Sequence, residues 1–224
     1  MSNFTTWRSL VDGEEIGAIP DSAVARYDAT EEESTGVIST IDDLVGSFDL
    51  SGDGEVISSG INGLQTYRLD GSQSFSTSDI SVGTPNATII VFQFQNLTSS
   101  QSTLYDSDSE DDRRQIDDDD GGGTYRLFHG DSTATGGSTD TAPHIALHIA
   151  NDNTTDDILE IDGSEVINAN VGDGSFDGYR VGADRNDSDN AEVDFGEIVH
   201  YDNPTDSTLS SEVDRMADKW GFTF

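Results

Sequence analysis

Residues 88–95 (TIIVFQFQ) alternate in a way that only an extended strand can bury coherently. Ile90, Phe92 and Phe94 fall on one face, while Ile89 and Val91 give way to Gln93 and Gln95 on the other. That is the pattern of a strand covered fully on one side and partly on the other. Residues 144–150 (HIALHIA) repeat it, with Ile145, Leu147 and Ile149 opposite His144, Ala146 and His148. Shorter runs at 23–29, 37–41, 64–70, 124–129, 164–168, 178–183 and 191–201 bring the expectation to about ten strands, separated by turns of Gly, Asp, Asn and Ser. Such spacing predicts a sandwich or jelly roll.

One segment breaks the period. Val213, Met216, Ala217 and Trp220 recur at helical spacing, with Ser210 placed to cap the N-terminus and Gly221 to stop the C-terminus. Glu212 and Asp214 in the first turn and Lys219 in the last complement the helix dipole. A helix this short must pack on the sheets. Two stretches read as loops: the acidic, glycine-ended 106–123 (DSDSEDDRRQIDDDDGGG) within its strands, and the polar 130–142. Residues 1–22 read as an N-terminal arm or attachment segment, with Trp7 and Leu10 as its candidate partner or self-association contacts, ahead of a domain at 23–224.

Charge excludes more than it assigns. The 45 Asp and Glu against ten Lys and Arg give a net charge of -35, a field that repels phosphate backbones and anionic lipid. Nucleic acid is therefore not an expected partner. No apolar run approaches the ~18 residues of a membrane span, and no positive region leads into an apolar one as in a secretion signal. The expectation is a protein that stays in the cytoplasm or leaves the cell as part of a particle. Without cysteine, disulfides and thiolate zinc sites are impossible. Thirty-three of the acids are Asp and Lys219 is the one lysine, a balance similar to that of proteins from extreme halophiles, where molar salt screens charge within roughly 3 Å.

The last third carries a family pattern. Phe176, Asp177 and Gly178 are followed by Phe195, Gly196, Glu197, Ile198, Val199, His200, Tyr201 and Asp202, then by Leu209, Ser210, Met216, Lys219, Trp220 and Gly221. Looser matches lie at Ala25 to Ala29, at Ile41, Asp42, Asp43, Ser51 and Gly52, and at Tyr67 to Gly71. Together these resemble the laminin-G-like, concanavalin A-like family, in particular copies found in phage and virus particle proteins. The resemblance implies an all-β, two-sheet antiparallel jelly-roll sandwich with a short C-terminal helix. It also implies a nonenzymatic structural protein of a haloarchaeal virus, displayed on capsid or tail, forming a homo-oligomer with other virion proteins around it. A glycan-binding module touching host surface glycans and a glycoside hydrolase are the alternatives, since fold does not settle function.

Each chemistry has its candidate residues. Glu192, Asp194 and Glu197 form an E-x-D-x-x-E pattern, and a retaining glycosidase needs two carboxylates on one face about 5 Å apart. Period two places Glu192 and Asp194 together, and Glu197 joins them only if a bulge at Gly196 shifts the register. Asp184, Asn186, Asp187 and Asp189 are dense enough in oxygen to hold calcium or another hard cation, although a solvated acidic loop is the better account of them. Asp49, Ser51, Asp53 and Gly54 open like an EF-hand loop, but Ile61 stands near the position that needs Glu. His144 and His148 share a strand face about 13 Å apart, too far for one ion. For a sugar platform the aromatic candidates are Tyr105, Tyr125 and Tyr179, with half-buried core positions as the plainer reading.

Overall fold

A computed structural model describes residues 10–11, 14–15, 23–97, 101–107, 113–119, 123–130, 132–152, 154–172 and 176–224. In chain order the strands are β1 (Leu10–Val11), β2 (Glu14–Glu15), β3 (Ala23–Asp28), β4 (Gly36–Ile41), β5 (Leu50–Ile57), β6 (Thr66–Asp70), β7 (Phe75–Val82) and β8 (Asn86–Asn96). They continue with β9 (Ser102–Asp106), β10 (Arg114–Asp118), β11 (Tyr125–His129), β12 (Ser132–Gly136), β13 (His144–Ala150) and β14 (Asp157–Ile161). β15 (Ser164–Ala169), β16 (Phe176–Val181), β17 (Glu192–Asp202) and the helix α1 (Asp206–Trp220) complete the chain.

The expected pair of separate sheets is corrected by the hydrogen bonding. From β3 onward, every strand belongs to one antiparallel sheet ordered β12-β11-β10-β9-β16-β7-β5-β6-β17-β8-β13-β14-β15, with β3 beside β17 and β4 beside β5. It curls through 318° about one axis, an almost closed barrel. The physical reason lies in strands that change partner along their length. β17 pairs β6 through residues 192–195 and β3 through 197–201, while its other edge follows β8 throughout. β5 likewise serves β6 at one end and β7 at the other. The ladder therefore passes around the molecule without the break that two sheets require. At the open seam β12 comes against β15, where a Cβ on Gly136 would sit 2.1 Å from the Val166 carbonyl oxygen. Only glycine permits that approach.

The two periods sort the core into two layers. Ile90, Phe92 and Phe94 point into the barrel with Tyr67, Leu69, Val193, Phe195 and Ile198. Ile89, Val91, Ile145, Leu147, Val199 and Tyr201 point outward and are covered by Leu209, Val213, Met216 and Trp220 of α1. The helix begins a turn earlier than expected, capped by Thr205 rather than Ser210, because the Thr205 hydroxyl accepts from the Thr208 amide at 3.2 Å. Gly221 ends it in the left-handed conformation, φ 74°.

The expected loops also need correction. Within 106–123, residues Arg114–Asp118 are the strand β10, whose Ile116 is fully buried in the barrel and pairs with Leu127. One inward apolar side chain suffices when the flanking charges are paired across the strands. Residues Ser132–Gly136, inside the expected loop 130–142, form β12. Of the N-terminal contacts, Trp7 lies outside the described residues, and Leu10 is described only as a backbone partner of Glu15.

Candidate functional site

Alternation along β10 and β11 sets one continuous polar row on the outer side of the barrel wall, its Gln115, Asp117 and Asp106 buried and its Arg113, Arg126 and Phe128 half-buried. Since Ile116 and Leu127 point inward, Arg113, Gln115 and Asp117 face outward beside Arg126 and Phe128. Asp106 of β9 is register partner to Gln115 and to Arg180 of β16, which extends the row. Four of the nine arginines, Arg113, Arg126, Arg180 and Arg185, gather here or in the adjoining turn.

The floor of the patch is buried carboxylate. Asp117 Oδ2 accepts from Arg126 Nη2 and from Gln101 Nε2, both at 2.8 Å, while its Oδ1 is buried without a partner. Asp106 Oδ2 accepts from Arg113 Nε at 3.0 Å and from the Arg185 amide at 3.1 Å, and its Oδ1 is likewise unpartnered. Burial raises both acids beyond what the arginines recover. Asp106 reaches about 6, despite Arg113, and Asp117 about 7, despite Arg126. The rim is half-buried: the Arg113 guanidinium lies 4.6 Å from the centre of the Phe128 ring, and Arg126 also reaches Asp119. A flat apolar face, amides and fixed guanidinium groups are what a polyhydroxylated ligand requires.

The sequence-derived candidates are distributed differently. Tyr105, Tyr125 and Tyr179 are all buried in the barrel and offer no surface platform. Tyr105 is tied to His148 Nδ1 at 2.5 Å, and Tyr179 packs edge-on against His200 at 4.3 Å between ring centres. Tyr125 and Tyr179 lie on expected strands and Tyr105 on β9, which the sequence did not mark; all three rings turn into the core, the plainer of the two readings. Burial holds His200 down at about 3. Asp184 is buried and organises its own turn, accepting from the amides of Asn186 and Ser188 at 3.1 and 2.7 Å. Asp187 accepts from Arg180 and Ser74, and Asn186 and Asp189 are exposed. Among the described residues, no group of three His, Asp or Glu side chains is arranged to hold a metal ion.

Glu192, Asp194 and Glu197 do meet the bulge condition, since the pairing with β8 shifts between Phe195 and Glu197. Gly196 and Glu197 both turn toward α1, where a Cβ at 196 would lie 2.3 Å from the Trp220 ring. Asp194 is held bidentately by Arg68, both bonds at 2.7 Å. Glu197 is enclosed by Arg26 at 2.8 Å, Lys219 at 3.1 Å, Arg215, and the Trp220 indole N–H at 3.2 Å. Burial works against its ionised form, but Lys219, Arg26 and Arg215 outweigh it and hold the carboxyl at about 2. Asp28 and Glu212 complete the cluster through Arg26, Lys219 and Arg215. The arrangement fastens α1 to β17 and β3.

The Phe128 and Arg113 pair escaped sequence reading because the stretch RRQIDDDD holds a single apolar residue, so no apolar alternation marks a strand. Its usable signal is Arg113, Gln115 and Asp117 at period two around Ile116.

No family model matches the chain, and no curated protein matches it. Solved structures do share its fold. Trypanosoma rangeli sialidase in complex with sialic acid superposes with a TM-score of 0.64 at 13% identity, covering 97% of this chain and 36% of that one. Botulinum neurotoxin type C, whose cell entry depends on interaction with two ganglioside molecules, gives 0.64 at 11% identity over 88% of this chain and 51% of that one. The binding domain of the serotype D/C neurotoxin gives 0.64 at 10% identity, covering 88% and 53%. The chain thus spans about a third of the sialidase and half of the toxin chains. These likenesses correct the expectation of a nonenzymatic capsid or tail protein. That expectation rested on resemblance to virus-borne copies of another fold, whereas the sialidase and the toxin binding domains named above share this one.

Proposed function

We propose that this chain is a carbohydrate-recognition unit whose site is the outer face of β9, β10 and β11. The observation that carries the reading is the half-buried Phe128 ring capped by Arg113, in a fold shared with a sialidase crystallised with sialic acid and with a ganglioside-dependent toxin. The ring supplies a flat face for a sugar's C–H bonds, and beside it the terminal nitrogens of Arg113, whose Nε is held by Asp106, supply donors. The experiment is titration of neutral, uronic-acid and sialylated oligosaccharides onto the protein in concentrated salt. Phe128→Ala is expected to weaken binding by at least about tenfold with the circular-dichroism spectrum unchanged. No binding by any sugar in the panel overturns the reading.

A hydrolytic reading attaches to the same patch. Asp117, raised to about 7, keeps much of its proton at neutral pH as a general acid does, but its carboxyl is fully buried beneath Arg126 and Gln101 and acts on a substrate only once these move aside. Glu197, held at about 2 among three cations, keeps no proton there. Asp117→Asn should abolish any glycoside hydrolysis by the protein, and unchanged hydrolysis removes this second reading.

A further inference from the structure

Three buried oxygens on the outer side of β9 and β10 meet no hydrogen-bond donor among the described residues: Asp106 Oδ1, Gln115 Oε1 and Asp117 Oδ1. All three side chains are fully buried. They come from one square of the ladder, since Asp106 stands opposite Gln115 and Asp117 opposite Thr103. Opposed Cβ atoms across such a pair lie about 5 Å apart and diagonal ones about 7–8 Å, within the joint reach of these side chains. Each group is pinned by its other polar atom. Arg113 and the Arg185 amide hold Asp106 Oδ2, Arg126 and Gln101 hold Asp117 Oδ2, and the Gln115 amide donates to Thr103 Oγ1 at 2.9 Å. The turn 184–190 closes over β9, where the Thr103 amide donates to the Asp189 carbonyl at 2.9 Å. Three acceptors left unmet in one enclosed square are satisfied together by a cation.

The surrounding charge points the same way. Among the described residues, six acids act on this patch: Asp106, Asp117, Asp119, Asp184, Asp187 and Asp189. Against them stand the guanidinium groups of Arg113, Arg126 and Arg180, while Arg185 meets Asp106 through its backbone amide. The excess of three negative charges is more than a monovalent ion neutralises. Calcium accepts an irregular mixture of carboxylate and amide oxygens with water completing the shell, whereas magnesium demands a near-octahedral set and gives up its water reluctantly. Two carboxylates and an amide fixed on neighbouring strands are a set of the first kind.

We propose that Asp106, Gln115 and Asp117 form a calcium site in the outer layer of the barrel wall, ligating through their three unpartnered oxygens. With two carboxylates and an amide, it lies outside any grouping of three acidic or histidine side chains. The site goes beyond the carbohydrate reading and does not rest on it. The values of about 6 for Asp106 and about 7 for Asp117 are those of the ion-free protein. With calcium bound Asp117 carries no proton, so the hydrolytic reading belongs to the ion-free protein alone.

The experiment is calorimetric titration of calcium chloride, and separately of magnesium chloride, into the chelator-stripped full chain. Sodium chloride at about 2 M screens the exposed acids throughout. The expected result is a single calcium per chain with a dissociation constant at or below about 1 mM, and magnesium at least about tenfold weaker. Gln115→Leu, which changes no charge, should weaken calcium at least about tenfold. Asp106→Asn/Asp117→Asn should abolish saturable binding, with circular dichroism checking the fold of each variant. If the double variant does not fold, Gln115→Leu decides alone. Asp218→Asn, which removes an exposed acid on α1, should leave the isotherm unchanged. Absence of a calcium isotherm, equal affinity for magnesium, binding that survives Gln115→Leu, or a loss shared by Asp218→Asn overturns the proposal. None of these outcomes bears on sugar binding.

Discussion

Glu197, beneath α1, and Asp117, on the outer face of β10, are both fully buried carboxylates bonded to arginine, yet one is driven toward permanent charge and the other toward neutrality. The difference is stoichiometric. Three cations and an indole N–H converge on Glu197, all fixed by β3 and α1. Asp117 has one arginine, itself shared with Asp119, and one amide, and an oxygen left over. Burial costs both, and only the first arrangement returns enough Coulomb energy to exceed the cost. The first region is a fastening, and the second keeps a buried oxygen whose hydrogen-bonding capacity is unused.

The sharpest way to break this comparison is to neutralise Glu197. Glu197→Gln leaves Arg26, Arg215 and Lys219 facing Asp28 and Glu212 with an excess positive charge, and should cost about 3–5 kcal/mol in urea denaturation. A loss below about 1 kcal/mol would show that the cluster does not hold the helix. Gly196→Ala attacks the same fastening sterically. Its Cβ would press 2.3–2.7 Å onto three atoms of the Trp220 ring, costing about 1–3 kcal/mol, with Trp220 fluorescence shifting as the ring is displaced. Asp117→Asn should change stability by less than about 1 kcal/mol at neutral pH, because lost pairing with Arg126 is offset by relief of a buried charge.

The last comparison is in pH dependence. Asp106 and Asp117 sit at about 6 and about 7 in the folded state, above their ordinary 3.8, so the folded protein takes up protons that the unfolded chain does not. Their ionisation costs stability above pH 7, and the cost fades as pH falls toward 4. Glu197, at about 2 against an ordinary 4.5, contributes fully above pH 4.5 and loses its contribution as pH falls toward 2. His200, held at about 3 against 6.5, and His148, also lowered, weaken the fold as pH drops below 6.5. A difference measurement removes the histidines. Between pH 8 and pH 5, the wild type should gain stability relative to Asp106→Asn/Asp117→Asn, as read from urea midpoints. A gain by the double variant would reverse the assignment.

Much of the barrel wall was legible. The alternations at 88–95 and 144–150 separated the two faces of each strand without telling which met the barrel interior, since Ala146 and His148 turn inward and Ile145 and Leu147 lie outside under α1; the stripe from Val213 to Trp220 marked the helix. What failed was any inference needing partners. β10 and β12 were hidden because their side chains are mostly polar, and burial there depends on neighbours rather than on composition. Tyr125 and Tyr179 could be assigned to strands and Tyr105 to none, and which face of each strand met the core was settled by pairing.

The amino-acid sequence by itself determined the extended runs, the single helix with its glycine stop, and an acidic field hostile to nucleic acid, because these are properties of nearest neighbours and of summed charge. Closure into one curled sheet and the state of each buried acid were decided only by tertiary structure. Arg26 stands 171 residues from Glu197 and Lys219 stands 191 from Asp28, and no local pattern encodes a distance across the fold. Proximity sets electrostatic energy, and in this chain proximity is made by strands that exchange partners.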